Sequence, residues 1–340
     1  MQFQELGNDQ RREMVNTRQR YAALLEVRAK VHGYRGSMVW IEAKGRDYLV
    51  RSCYDKSGIR RQASIGLRTP DTERIKREYD DGRRQAQDRL AELKATIDRQ
   101  SAINRAVGLG RIPLIGAKII RALDSTGILG TGIRVLGTNA IYAYEAVAGV
   151  LIDSGLTTTE DIDLLLDSRV KMTFVAIDDV PEQSLLQILR KVDHSFQKAS
   201  RTFRAVNREG YIVDLIRPLR SPPWKAEQET VGSDPADLAA VEIEGLEWHE
   251  SAPSFESIAI DDRGKPLRIV TTDPRVWAAH KLWLSKREDR EPVERRRDEA
   301  QARAVASLVV QYMPHLPFAP QDLRMLPRDV TEDAAPLFSL

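Results

Sequence analysis

The chain has 340 residues, of which 42% are hydrophobic and 30% are charged, and its formal net charge is +2. Such a composition is typical of a globular protein, and the length allows two domains or one domain with a sizeable appendage. The single cysteine, Cys53, excludes an internal disulfide and a zinc site built from cysteines. No apolar run approaches the roughly 20 residues that cross a bilayer, and the N-terminus lacks the apolar core of a signal peptide. We therefore expect a cytoplasmic protein with no membrane partner.

The N-terminal third is basic, with 24 Lys and Arg against 15 Asp and Glu in residues 1–111. Apolar spacing predicts a helix over about 10–33, and alternating runs separated by glycine-containing turns predict a three-stranded sheet over 38–67. A long, highly charged helix is predicted from Pro70 to about residue 100. A basic surface with interleaved aromatic residues can bind nucleic acid. The simpler interpretation is that the aromatic residues pack the sheet while the basic residues face water.

Glycine-rich sequence at 108–116 is predicted to be a linker. It separates an N-terminal helix-sheet-helix module (1–112) from a core (113–220). A C-terminal part (221–340) with a hairpin and helices is predicted to follow the core. The elements predicted beyond the linker are helix 117–124, strand 133–136, helix 139–150, strands 161–166 and 171–177, a helix from Pro181 to about 192, hairpins over 201–216 and 257–270, and helices 276–285 and 292–313. Residues 220–250 are predicted to be irregular.

Three aspartates lie inside predicted strands. Asp161 and Asp163 alternate with apolar residues, so they share one face of their strand, and Asp214 interrupts the apolar run 211–216. Carboxylates that share a face repel each other unless a positive charge lies between them, and a hard divalent cation is a common solution. Taken alone, the Asp161–Asp163 pair is equally explained by an edge strand that exposes acids to water.

The Gly137–Thr138 turn joins a short apolar strand to a helical pattern. A glycine at such a turn lets a phosphate approach backbone N–H groups at the start of the helix, although an ordinary tight turn has the same sequence. The chain contains neither a Gly-x-Gly-x-x-Gly fingerprint nor a Walker-type Gly-Lys-Ser/Thr sequence. Dinucleotide-binding and P-loop functions are therefore disfavoured.

Taken in order, these pieces resemble the polymerase-beta-like nucleotidyltransferase superfamily. Its pattern is an apolar strand ending in Gly followed by Gly, Ser or Thr, a helix, an Asp-apolar-Asp strand, and a third carboxylate on a neighbouring strand. Leu-Gly-Thr-Asn-Ala (136–140), Thr-Glu-Asp-Ile-Asp-Leu-Leu (159–165) and Asp-Pro-x-x-Trp-Ala-Ala-His-Lys (273–281) are similar to a bacterial branch of unknown acceptor. Two departures are that Thr138 replaces the commoner second glycine or serine, and that the gap from Gly137 to Asp161 is longer than usual.

The resemblance implies an α+β fold, with the mixed sheet of a nucleotidyltransferase, the basic N-terminal module and a helical C-terminal part that completes the nucleotide site. It implies that Asp161 and Asp163 hold a magnesium ion bound to the triphosphate, with manganese as a substitute. Together with Asp214, they would hold a second ion that activates the acceptor oxygen, or Asp214 would act as the base. The phosphates would be bound by residues of the turn and by one helical lysine, namely Gly137, Thr138, Asn139 and Lys281.

The favoured function is magnesium-dependent transfer of a nucleoside monophosphate from an NTP, most readily ATP, to a protein side chain, an RNA end or a small molecule. The main alternative is a nucleic-acid-binding protein with an inactive transferase-like core. A second alternative is an interaction protein in which the three aspartates form an ordinary ion-paired network.

Other charged and aromatic residues near these motifs receive structural interpretations. His280 is expected to pack beside Val276 and Leu284, and Arg217 is expected to pair with the site carboxylates. The remaining basic residues are expected to form a solvated helical face, and one of them is expected to contact a phosphate. They are Arg287, Arg290 and Arg295 to Arg297.

Overall fold

The computed structural model describes residues 3–54, 60–167, 169, 184–219, 222, 224, 229–232, 234 and 236–339. The strand predicted at 171–177 and the helix start predicted at Pro181 lie outside these residues. Within the described part of the chain, no helix is both long and apolar enough to cross a membrane.

The N-terminal region is built from two long helices and an antiparallel sheet. Its elements are β1 (Gln4–Glu5), α1 (Asn8–Gly33), β2 (Ser37–Ala43), β3 (Arg46–Tyr54), β4 (Arg60–Leu67) and α2 (Pro70–Ala106). The strands of this sheet lie in the order β2-β3-β4. Helices α1 and α2 pack through a small cluster of buried apolar residues, which includes Leu24 and Leu93. Such a narrow contact is what the few apolar positions of α2 allow.

In the part of the chain that the structure describes, the central sheet has six strands of mixed direction. Its strands are β5 (Ile133–Leu136), β7 (Asp161–Leu166), β8 (Gln197–Lys198), β9 (Arg204–Val206), β10 (Ile212–Pro218) and β11 (Val241–Ile243), while β6 (Val150–Leu151) pairs with β1 instead. The order is β5-β7-β10-β9-β8, and β11 also pairs with β10. Strand β10 runs parallel to β7 and β11 and antiparallel to β9. This mixed sheet agrees with the predicted α+β fold.

Helices and one hairpin surround the sheet. They are α3 (Leu114–Ser125), a 3-10 turn (Gly137–Ala140), α4 (Ile141–Ala148), α5 (Ser154–Thr157), α6 (Leu185–Val192), α7 (Leu246–Ser251), the hairpin β12 (Ser254–Ile260) and β13 (Pro266–Thr272), α8 (Pro274–Ser285), α9 (Pro292–Tyr312), 3-10 turns at Pro320–Asp322 and Ala335–Phe338, and α10 (Arg328–Ala334). The buried face of the sheet carries alternate apolar residues, such as Ile162, Leu164 and Val213, which join the main core. The opposite face is therefore free for the polar residues of a site.

Several predicted boundaries differ from the structure. Residues 220–250 are not wholly irregular, because β11 and α7 lie within them. Helix α6 is described from Leu185, where the hydroxyl of Ser184 accepts a hydrogen bond from the Gln187 N–H at 3.1 Å, so an N-cap sets its start. The predicted linker contains an ordered contact, since the Ile112 N–H donates to the Ile260 carbonyl at 3.2 Å.

Candidate active site

Three aspartates lie on one face of adjacent parallel strands. In the register of β7 and β10, Asp163 stands directly beside Asp214, and Asp161 stands beside Ile212. Because side chains alternate along a strand, Asp161 and Asp163 point to the same side. On the other edge of β7, Leu136 at the end of β5 stands beside Asp163. The structure thus brings the three predicted carboxylates together next to the turn that begins at Gly137.

The Gly137 turn requires a glycine for two reasons. Its φ angle is +59°, a conformation that residues with a Cβ rarely adopt. A Cβ at this position would also overlap the Oδ2 atom of Asp163. The Gly137 carbonyl accepts a hydrogen bond from the Trp277 indole at 3.2 Å, which connects the turn to α8. The turn and the acidic residues are therefore fitted to each other.

Thr138 and Asn139 are both held by the protein. Thr138 accepts a hydrogen bond from the side-chain amide of Gln301 in α9 at 3.2 Å. Asn139 is only 1% exposed, and its amide donates to the backbone carbonyl of Asp161 at 2.7 Å. The Asn139 side chain thus positions the start of β7, so a contact with phosphate would fall to its backbone N–H.

The electrostatic environment of Asp163 is unusual. Its pKa is raised to about 7, chiefly by burial and also by the neighbouring carboxylates of Asp161 and Asp214, against the opposing charges of Lys281 and Arg204. A carboxyl group with this pKa is only partly ionised near neutral pH. The crowding of negative charge predicted from the sequence is therefore present.

Asp214 is held by an arginine that sequence reasoning missed. Arg204 is the direct cross-strand partner of Asp214 in the β9–β10 hairpin. Its guanidinium donates to both carboxylate oxygens of Asp214, at 2.7 and 2.6 Å. Counting outward from the turn predicted at 207–210 would have set Arg204 opposite Val213. The hairpin instead closes one residue later, where the Asn207 N–H donates to the Tyr211 carbonyl at 3.2 Å, and this register places Arg204 opposite Asp214 on the same face.

Arg217 does not pair with the site carboxylates, contrary to the prediction. It stands three positions after Asp214 on β10, so it points to the opposite face of the sheet. There it is 2% exposed and pairs with Glu229 at 3.2 Å and Glu242 at 2.9 Å. Its role is to anchor the segment that leads into β11.

Cationic side chains from α8 and α9 face the carboxylates across a cleft of about 400 Å³. Lys281 donates to Asp298 at 2.7 Å and lies over the ring of Trp277. Asp298 is 3% exposed and also approaches Arg290, at 3.0 Å. Arg297 donates to the backbone carbonyl of Thr158. Arg290 and Arg297 therefore line the cleft, which corrects the expectation that they belong to a solvated face.

The far end of the cleft is apolar and aromatic. Ile216, Leu246, His249 and His280 line it. His280 packs as expected for a buried histidine, although its principal neighbours are aromatic rings: it stacks on Trp283, with ring centroids 5.7 Å apart. No local sequence signal identified this wall, because α7 was not predicted.

The donor set suits a hard divalent cation, although it is not arranged as a finished metal site. Among the residues that the structure describes, no three His, Cys, Asp or Glu side chains converge closely enough to hold a metal ion. The reason is that Asp214 is turned onto Arg204 and Asp161 accepts a hydrogen bond from Thr159. Carboxylate oxygens are nevertheless the ligands that magnesium prefers, and a cation would relieve the repulsion that raises the pKa of Asp163.

A comparison with protein-family models identified a matching family. A family described as Nucleotidyltransferase matches residues 116–326, which is more than half of the chain and includes the turn, the three aspartates and the cationic helices. The comparison with curated proteins and the comparison with solved structures gave no match.

Proposed function

The chain belongs to the nucleotidyltransferase family, and we propose that it transfers a nucleoside monophosphate from an NTP to an acceptor oxygen with the help of magnesium. The observation that carries this proposal is the register of β7 and β10, which sets Asp163 beside Asp214 and next to the Gly137 turn. A polymerase-beta-like origin of this arrangement is part of the proposal.

Asp161, Asp163 and Asp214 would hold magnesium, or manganese in its place. When bound, two such ions lower the pKa of an acceptor hydroxyl and stabilise the attacking and leaving oxygens of an in-line displacement at phosphorus. Asp214 needs to be released from Arg204 before it can serve as a ligand or as a base. Arg204 then remains beside the carboxylates as a positive charge that limits their repulsion.

The triphosphate would bind between the Gly137 turn and the two C-terminal helices. The backbone N–H groups of Thr138 and Asn139 follow the turn, and α9 contributes Arg297 while α8 contributes Lys281. An ammonium group has three N–H donors, so Lys281 can keep its contact with Asp298 and still donate to a phosphate oxygen. These charges orient the leaving pyrophosphate and neutralise it.

For the acceptor, we propose only its chemical class, which is a molecule with a hydroxyl oxygen. A protein side chain, an RNA end or a small molecule each offers the hydroxyl oxygen that the reaction needs. The N-terminal sheet, with its basic residues, is the candidate surface for a nucleic-acid acceptor, and ATP is the candidate donor.

The proposal is tested by thermal unfolding with each NTP and magnesium. A ligand that binds only the native state raises the melting temperature with increasing concentration. We expect a magnesium-dependent rise in wild type that is absent from Asp161→Ala/Asp163→Ala and retained in Asp262→Ala, whose exposed carboxylate lies in the β12–β13 turn. Labelled NTP in a cell extract should then label an acceptor and release pyrophosphate.

A flat response to all four NTPs in wild type would contradict nucleotide binding. Binding without label transfer or pyrophosphate release would contradict the transferase activity, and it would favour the nucleic-acid-binding protein with an inactive core. That alternative also requires an affinity for nucleic acid that falls steeply with salt.

A further inference from the structure

The cleft has two chemically different ends, and the carboxylates lie between them. At one end, α9 contacts the turns that precede the acidic strand: Gln301 donates to Thr138, and Arg297 donates to the Thr158 carbonyl. At the other end the floor of the sheet becomes apolar. Ile216 follows Asp214 on the same face of β10 and joins a buried cluster with Leu246 of α7. A ligand with a charged part and an apolar part would fit this order.

Two histidines form the wall of the apolar end. His249 of α7 is 1% exposed and His280 of α8 is 7% exposed, and their rings meet edge to face with centroids 4.5 Å apart. Among the residues that the structure describes, Nδ1 of His249 and Nε2 of His280 are buried without a hydrogen-bond partner. A buried polar atom without a partner is unfavourable, so each ring has hydrogen-bonding capacity that the protein leaves unused.

Both rings are uncharged at neutral pH. Burial lowers the pKa of His249 to about 3, with further contributions from Lys281 and Arg134. Burial likewise lowers the pKa of His280 far below its ordinary value, and His249 and Lys281 add to this effect. A neutral imidazole carries one donor and one acceptor, and the edge of a nucleobase carries at least one of each.

We propose that the end of the cleft formed by Ile216, Leu246, His249 and His280 is the nucleobase subsite, in which the two imidazoles hydrogen-bond to the base edge and select among the four bases. The inference rests on the proposed function, because it assigns the triphosphate to the other end. Apolar walls with a few polar groups that fix orientation are typical of small-molecule sites. A site that hydrogen-bonds one base leaves its own polar groups unpaired when another base binds, which is the source of discrimination.

The test compares ligands that share phosphates but differ in the base. Calorimetry with magnesium measures the affinity of inorganic tripolyphosphate and of each of the four NTPs. In wild type we expect one NTP to bind about tenfold or more tighter than tripolyphosphate and than the least favoured NTP. In His249→Phe and His280→Phe, which keep the aromatic packing, the NTP affinities should converge to within about threefold, while the tripolyphosphate affinity stays unchanged. The exposed His315→Phe is the control and should keep the wild-type preference.

Three results would overturn the inference, and they differ in what else they affect. If wild type binds all four NTPs no tighter than tripolyphosphate, the base subsite is excluded while the transferase proposal stands; this outcome needs no variant to fold. If both histidine variants fold and keep the wild-type base preference, the imidazoles do not select the base. If wild type binds neither tripolyphosphate nor any NTP, the subsite and the proposed function are both wrong.

Discussion

The floor and the roof of the cleft reach their arrangement by different routes. The floor is made by neighbouring strands, where alternation places Asp161 and Asp163 on one face and the parallel register adds Asp214. The roof is made by α7, α8 and α9, which are brought over the sheet by packing between residues that are distant in sequence. One example is the hydrogen bond between Gln301 and Thr138.

The electrostatics of the two regions also differ. On the floor, like charges are held close together and the pKa of Asp163 rises to about 7. On the roof, the positive charges are already paired, since Asp298 contacts both Lys281 and Arg290. We infer that the floor keeps repulsion that Arg204 and Lys281 offset only in part and that a cation can remove, whereas the roof presents prearranged donors.

Replacing the turn glycine should cause the largest change, because it disturbs the floor directly. Gly137→Ala places a Cβ at a φ of +59° and against the Asp163 carboxylate. We expect a loss of about 3 kcal/mol or more in the free energy of unfolding, together with loss of NTP binding. Urea denaturation and calorimetry measure the two effects.

A second glycine provides the matched control. Gly149 ends α4 with a φ of +69°, and a Cβ there would meet nothing within 4 Å. Gly149→Ala should therefore cost only about 1–2 kcal/mol, which is the backbone strain alone. When Asp163→Ala is added to Gly137→Ala, part of the lost free energy of unfolding should be recovered. When it is added to Gly149→Ala, none should be recovered. Equal losses for the two glycines would mean that the close approach to Asp163 is unimportant.

The raised pKa of Asp163, caused chiefly by burial and also by repulsion from Asp161 and Asp214, should appear as pH-dependent stability. The raised pKa means that folded Asp163 keeps a proton between about pH 4 and pH 7 that the unfolded chain has released. The free energy of unfolding of wild type therefore falls as the pH rises through this window. Asp163→Asn removes that contribution. Between pH 5 and pH 8 we therefore expect the free energy of unfolding of Asp163→Asn to rise by on the order of 2 kcal/mol relative to that of wild type, after allowance for solvent screening.

This pH experiment is made by urea denaturation in EDTA, with Asp262→Asn as the exposed control. Adding magnesium at pH 8 should reduce the advantage of Asp163→Asn, because the cation stabilises only the wild-type carboxylates. A constant difference between wild type and Asp163→Asn at the two pH values would show that neither burial nor repulsion raises the pKa of Asp163 in the folded protein.

Much of the floor could be predicted because its information is local. The alternation of Asp161 with Ile162 fixed the face of both aspartates, and the resemblance identified Gly137, Asp161, Asp163 and Asp214 as one set. The pairing of Arg204 with Asp214 could not be counted from the predicted turn at 207–210, because the observed hairpin closes at Asn207 and Tyr211, which shifts the register by one residue. The incorrect prediction for Arg217 came from proximity in sequence, which ignored the alternation of side chains along β10.

The roof could not be predicted in the same way. Nothing in the sequence near His249 shows that α7 lies over Ile216, because that contact depends on how β11 pairs with β10. Arg290 and Arg297 have the composition of an ordinary solvated helix face, and only packing against the sheet makes them part of the cleft. The predicted domain boundaries and the roles of the individual site residues remain predictions.

A smaller but sharper test concerns the prearranged donors of the roof. Lys281 lies in α8 and Lys286 directly follows its last residue. Each pairs with an aspartate, but their side chains are 13% and 51% exposed, respectively. We expect Lys281→Met to weaken NTP binding by about tenfold, because it removes a charge-assisted contact with phosphate, and to leave the affinity for magnesium alone unchanged. Lys286→Met should change NTP affinity by less than about twofold, since its pair is exposed. Calorimetry measures the NTP and magnesium affinities of both variants. If Lys281→Met reduces the magnesium affinity as strongly as the NTP affinity, the roof does not act independently of the floor, and the two regions form one electrostatic unit.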